Sequence, residues 1–285
     1  MAVDPKQTWC YCHKAEASGA VRSDGIAEFG VRTQRERDNG PGMCTSVVAQ
    51  GSDGRIVHGR NLDWNLPTAI RSMIVDVDFI KGGKKIFRGT GAPGIAGVFN
   101  GMSYTGAAGG RGEGEGWSVT IDARGKGGRL LVNILQSLLV HSMTPTQHMR
   151  YVLEQTADFK QAVLLLSTTP QVDENYFIVG GTKNAEGAVI SRGREKADDV
   201  WRLNPSEPNG WYRLQTNYDH WNPVPTADDR RTPGNAAMRA MGPSGLSTDS
   251  MWSVISTFPV YNVHTDVSVI LVPKEGLYNN TVWMG

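Results

Sequence analysis

Met43-Cys44-Thr45-Ser46-Val47-Val48-Ala49-Gln50, then His58-Gly59-Arg60-Asn61-Leu62-Asp63, is the stretch that decides how this chain is read. Residues 45–50 and 56–63 are short β-rich runs, and Gly51-Ser52-Asp53-Gly54-Arg55 between them carries the composition of a turn, so a hairpin is predicted. Cys44 opens its first strand, with Arg60 and Asp63 16 and 19 residues further on. A cysteine freed at its amino group carries a thiol of pKa about 8.5 beside an α-amine of about 7.7–8.0, so one residue supplies both nucleophile and base. His58 faces the same side of the predicted strand as Arg60, where a core or hydrogen-bonding role weighs against a catalytic one. A Cys-His dyad with His58 or His220 stays open as an alternative. The spacing of three puts Arg60 and Asp63 on different strand faces unless a turn intervenes after Arg60, and that turn is expected.

Outside this stretch, cysteine is scarce. The others are Cys10 and Cys12, with none from Thr45 to Gly285. That excludes a cystine-stapled scaffold, and 285 residues bury a sizeable core without staples. Cys10-x-Cys12-His13 lacks a second ligand pair at zinc spacing, so no metal and no cofactor is expected. The 29 basic and 28 acidic residues nearly cancel, leaving no broad footprint for nucleic acid. No run approaches the roughly 18 apolar residues of a membrane span, and residues 1–20 lack the apolar region of a signal peptide.

Organisation divides at Cys44. Residues 1–43 are polar, with Gly-Pro-Gly at 40–42, and read as a loop or poorly ordered leader; residues 44–285 read as one domain. Strands are expected at 74–80, 117–122, 176–181, 188–191, 212–217 and 267–272, and helices at 130–141, 146–155, 159–166, 233–241 and 248–257. Blocks of strands interrupted by blocks of helices indicate an α+β layered domain. The glycine-rich segment 82–116 contains one G-x-G-x-x-G match, Gly89-Thr90-Gly91-Ala92-Pro93-Gly94, but no helix pattern opens behind it. It reads as loops flanking a pocket or on the surface. Residues 130–140 form an uncharged apolar helix pattern whose default is core packing, with an acyl pocket or lipid-surface contact as the sharper alternative.

Four ordered motifs carry a family resemblance: Cys44-Thr45-Ser46-Val47-Val48-Ala49-Gln50, His58-Gly59-Arg60-Asn61-Leu62-Asp63, Gln215-Thr216-Asn217-Tyr218-Asp219-His220-Trp221, and Asp228-Asp229-Arg230-Arg231-Thr232. With Tyr176-Phe177-Ile178-Val179-Gly180-Gly181-Thr182 and Pro259-Val260-Tyr261-Asn262, they resemble the acid ceramidase and N-acylethanolamine-hydrolysing acid amidase family over residues 44–272. Asn-Leu-Asp, Val-Gly-Gly-Thr, Tyr-Asp-His-Trp and Pro-Val-Tyr-Asn look closer to the ethanolamide amidases than to the ceramidases. The resemblance implies a four-layer αββα N-terminal-nucleophile hydrolase sandwich that cuts itself between Met43 and Cys44 and then cleaves a lipid amide, through Cys44, Arg60, Asp63, Asn217 and Arg230. It implies ethanolamides as substrate, with ceramide, or a non-catalytic lipid-binding relative, as alternatives. It also implies a lysosomal or secretory location and an N-terminal α-chain partner after cleavage of a fuller precursor, which residues 1–43 do not resemble. Asn279-Asn280-Thr281 is a glycosylation sequon. The family's acidic residue before arginine falls on Ala123, and Asp122 is expected to replace it only if the strand end shifts, because neighbouring side chains point to opposite faces.

Overall fold

In a computed structural model, residues 43–104, 116–125 and 142–284 are described. The expected helix at 130–141, the leader with Cys10, Cys12 and His13, and part of the glycine-rich segment lie outside the described residues. The described strands form two antiparallel sheets. The first is ordered β10-β1-β2-β11-β12, built from Tyr212–Gln215, Met43–Gln50, Ile56–Asp63, Thr265–Val272 and Leu277–Val282. The second runs in chain order from β3 (Val75–Lys81) through β4 (Lys84–Gly91), β5 (Asn100–Ser103), β6 (Ser118–Ala123), β7 (Asn175–Gly180) and β8 (Gly187–Arg192) to β9 (Ala197–Arg202).

Alternation along β1 explains the layering. Val48 meets Ile56, Tyr176, Ile178 and Val189 between the sheets, whereas Val47 and Ala49 meet Met238, Met251 and Ile255 beneath helices. Of the helices, α2 (Pro145–Gln155) and α3 (Phe159–Thr168) cover the second sheet, while α4 (Arg231–Met241) and α5 (Thr248–Ile255) cover the first; α1 (Thr68–Arg71) is one short turn between β2 and β3. The order is helix, sheet, sheet, helix, an αββα sandwich. Hydroxyl and amide caps fix the helix starts: Thr144 and Gln147 form a capping box on α2, Asp158 caps α3, and Ser247 with Ser250 caps α5.

The hairpin forms as expected, with Ser46 opposite Arg60 and Gln50 opposite Ile56. Gly59 lies on its helix-facing side, where a Cβ would stand 2.8 Å from Met251 Cγ, so α5 sits directly on the strand. The glycine-rich segment departs from expectation. Lys84–Gly91 and Asn100–Ser103 within it are strands, paired so that Gly89 faces Gly101. Glycine is used there for close approach: a Cβ on Gly89 would stand 2.6 Å from Val98 Cγ1. The Gly89–Gly94 match thus ends a strand and opens no helix.

Candidate functional site

Cys44 lies on the inward face of β1, 1% exposed, directly opposite Leu62 of β2 and in the same apolar cluster as Phe99. Its neighbours on that face are Ser46 on the same strand and, across the hairpin, Arg60 and His58. From the other sheet, Ser118, Thr120 and Asp122 of β6 point back at them. Arg60 lies fully buried and directs Nη2 to Cys44 Sγ at 3.5 Å. The rest of its guanidinium is held by Asp122 Oδ1 at 3.3 Å, Asn100 Oδ1 at 2.6 Å and the main-chain oxygens of Phe99 and Ile121. A planar fork with every edge occupied has one orientation, and here that orientation faces sulfur.

The turn expected after Arg60 is absent. β2 runs unbroken to Asp63, and the irregularity falls instead in its neighbour β11, between Thr265 and Val267. Asp63 therefore points to the helix side of the sheet, where it accepts from Asn262 Nδ2 at 3.0 Å and lies 3.9 Å from Arg230. The condition set for Asp122, a shift of the strand end, is likewise not met. β6 keeps its alternation, which turns Asp122 inward onto Arg60 and leaves Ala123 exposed, contributing only its carbonyl. Asp122 also accepts from Ser46 Oγ at 2.9 Å.

Asn217 reaches Cys44 by continuing a ladder that has ended. β10 pairs with β1 from Tyr212–Ala49 to Gln215–Ser46, so two residues further on Asn217 falls opposite Cys44. The chain leaves the sheet after Gln215, and the Asn217 side chain takes over: its Oδ1 accepts from the Cys44 main-chain nitrogen at 2.7 Å. Its Nδ2 donates to Ala123 O at 2.8 Å. Arg230 closes this edge by donating to Cys44 O, to Thr45 Oγ1 at 3.0 Å and to Asn217 Oδ1 at 2.8 Å, while Asp228 neutralises it at 2.7 Å. The structure thus gathers Cys44, Arg60, Asn217 and Arg230 directly, with Asp63 behind Arg230. Ser46, inside the first motif but given no role there, and Asn100, inside the glycine-rich segment that reads as loops, complete the site.

Neither histidine forms a dyad with the thiol. His58 spends both ring nitrogens on Ser118 Oγ and Thr120 Oγ1, each at 3.0 Å, and burial pushes its pKa down to about 3, so it is a neutral core histidine. His220 stacks on Trp201, with ring centroids 4.1 Å apart. Among the described residues, no group of three His, Cys, Asp or Glu side chains is placed to hold a metal ion.

Burial dominates the electrostatics. In the uncut chain it pushes the Cys44 thiol up to about 11; Arg60 pulls it down, and Asp122 and Asp63 push it further up. Burial likewise lifts Asp63 to about 7 and Asp122 to about 6 from the ordinary 3.8. The folded chain therefore binds protons at these carboxyls more tightly than the unfolded chain does. Their contribution to stability is complete below pH 3.8 and is lost as pH rises through about 6 and 7. In an uncut Cys44→Ala background, raising the pH from 5 to 8 is expected to lower the thermal midpoint more than it does in a further Asp63→Asn/Asp122→Asn variant. Parallel pH curves for the two proteins would refute the assignment.

Two stacked antiparallel sheets between helix layers, with a cysteine near the start of a central strand, make this an α+β sandwich of the N-terminal-nucleophile hydrolase type. The solved Caenorhabditis elegans N-acylethanolamine-hydrolyzing acid amidase (NAAA) ortholog shares it: TM-score 0.69 at 34% identity, covering 81% of this chain and 93% of that one. The N-acylethanolamine-hydrolyzing acid amidase of Rattus norvegicus is 39% identical over 233 residues, 82% of this chain, and acid ceramidase of Homo sapiens is 30% identical over 251 residues, 83% of this chain. The chain belongs to the family of N-acylethanolamine-hydrolysing acid amidases and acid ceramidases. It spans 61% of the length of each of those two relatives. No family model matches it.

Proposed function

We propose that this chain is the catalytic part of a cysteine amidase that hydrolyses N-acylethanolamines to fatty acid and ethanolamine. The observation that carries the reading is the double grip on one residue: Asn217 and Arg230 hold the main chain of Cys44 while Arg60 faces its sulfur. A residue held in this way at both nitrogen and sulfur suits a nucleophile that first cuts its own peptide bond.

In that first step Cys44 Sγ attacks the Met43 carbonyl. The C–N bond breaks as the nitrogen takes up the thiol proton to become the new amine, and water opens the thioester to leave a Met43 carboxylate, a thiol and a free Cys44 amine. In the second, Sγ attacks the substrate amide, the departing amine takes up a proton, and water releases the fatty acid from the thioester. Arg60 offsets negative charge growing on sulfur, and Asp63 is the acceptor for the new ammonium. Asn217 Nδ2, after parting from the Ala123 carbonyl, donates to the tetrahedral oxyanion, a contact worth roughly 2.7–4 kcal/mol when well aimed. Arg230 keeps Asn217 and the Cys44 carbonyl in register.

The names of the relatives favour ethanolamides, since identity to the rat amidase exceeds identity to human acid ceramidase. Incubation of the full chain at acidic pH is expected to yield a fragment beginning at Cys44, and the cut protein to release ethanolamine from a palmitoyl amide faster than sphingosine from ceramide. Faster sphingosine release would favour the ceramidase reading. An uncut, inactive chain at every pH would replace both with a non-catalytic lipid binder. We further place the protein in the secretory pathway or lysosome, with a lipid surface as its working environment and an N-terminal α-chain as partner after the cut. Asn279 of the sequon is exposed on β12. Secretory expression is expected to give a mass increment removable by an amidase specific for N-glycans and missing in Asn279→Gln; an identical mass in both proteins would count against that location.

A further inference from the structure

Arg230 and Arg231 stand side by side at the start of α4, as its N-cap and first residue. The positive end of a helix dipole disfavours cations there, so a second arginine is a local liability that calls for an explanation elsewhere. Asp228 pairs with Arg230, whereas the Arg231 guanidinium turns to the loop that carries Asn217. It donates to the carbonyls of Tyr218 at 3.0 Å, Asp219 at 2.8 Å, His220 at 3.3 Å and Asn222 at 2.9 Å, and lies 4.2 Å over the Tyr218 ring. Four carbonyls gathered on one planar fork fix the backbone of a segment that has just left the ladder of β10.

The far side of the same loop is tied to the other sheet. Asp219 Oδ1 accepts from Tyr176 Oη at 2.7 Å and Arg124 Nε at 2.8 Å, and the Gly125 nitrogen donates to Asn217 O at 3.4 Å. The loop around Asn217 is therefore held by Arg231 on the helix side and Asp219 on the sheet side, while Gln215 Nε2 donates to the carbonyls of Thr216 at 2.8 Å and Tyr218 at 2.9 Å. Of these, only Arg231 is joined by a single peptide bond to Arg230, which touches both Cys44 and Asn217.

We propose that Arg231 is a positioning residue for the reaction at Cys44: by gathering the carbonyls of residues 218, 219, 220 and 222 it holds the Asn217 amide on the Cys44 nitrogen. Arg231 touches no reacting atom and acts through Asn217. Its effect on turnover rests on the cysteine-amidase reading, whereas its effect on the Cys44–Asn217 bond does not.

Two measurements separate these. In the uncut Cys44→Ala chain, Arg231→Ala is expected to speed hydrogen exchange of the residue 44 amide by more than about tenfold while the amides of Val47 and Ala49, which face β2, keep their protection. In the cut enzyme, Arg231→Ala is expected to lower kcat about a hundredfold with KM within about twofold, and added guanidinium ion to restore about a tenth of the loss. Arg231→Lys keeps the charge but not the fork, so it is expected to move exchange in the same direction and to gain nothing from guanidinium; it also serves if the alanine variant does not fold. Unchanged residue 44 exchange in both variants would overturn the proposal, as would an unchanged kcat. If the native protein neither cuts itself nor hydrolyses amides, the amidase reading fails while the exchange experiment still decides the role of Arg231.

Discussion

Cys44→Ala is expected to abolish both the cut before residue 44 and amide hydrolysis, while leaving the sandwich folded. The chemical loss is large because no other group replaces a nucleophile: removing one from a cooperating set lowers turnover on the order of a millionfold. The structural cost is small. The sulfur is one buried atom in the apolar cluster that holds Leu62 and Phe99, and its removal is expected to cost about 1 kcal/mol. The main-chain bonds to Asn217 and Arg230 do not involve the side chain and survive. Intact mass, turnover and urea unfolding measured together decide the matter. A fragment starting at residue 44 in the variant would show that cleavage is performed by another group or by a contaminating protease, and the N-terminal-nucleophile reading would fall.

Arg60→Ala is expected to have the largest effect on stability, about 3–5 kcal/mol, because it leaves Asp122 fully buried without its cation. The carbonyls of Phe99 and Ile121 and the Asn100 side chain lose a donor at the same time. Adding Asp122→Ala removes the stranded carboxyl, so the double variant is expected to regain part of the loss in urea unfolding; both arms belong in the Cys44→Ala background, where no cut complicates the transition. Should the two losses simply add, the ion pair is not the source of the cost. In the chain that keeps Cys44, turnover should not recover in the double variant, since nothing then faces the sulfur.

The hairpin could be read from residues because its signal is local, a glycine turn between β-rich runs, whereas the five site positions were named as a set only through the family resemblance, whose motifs stand in sequence order. Edge strands were harder. Ala197–Arg202 and Leu277–Val282 are half-buried and polar, carrying neither alternation nor an apolar run, and β4 and β5 hide in a glycine-rich segment whose glycines serve packing against Val98 and α2. In the site, alternation sets Asp63 on the face opposite Arg60 and Asp122 on the face opposite Ala123, and no bend follows either residue. Burial on both faces of a sheet makes bends unnecessary: Asp122 faces Arg60 from the opposing sheet, and Asp63 works from the far side of its own. Asn100 and Arg231 act through contacts formed only when distant strands and loops meet, and no spacing in the chain announces that.

The handover from β10 to the Asn217 side chain has a consequence for maturation. A main-chain carbonyl at that place would come with a neighbouring strand whose pairing extends past residue 44, and severing the chain there would loosen the sheet margin. A side-chain oxygen accepts equally from an amide hydrogen or from an ammonium, so the nitrogen can change its covalent state while the strands keep their register. Chemical maturation is thereby uncoupled from refolding: the architecture that the uncut chain adopts already serves the cut one.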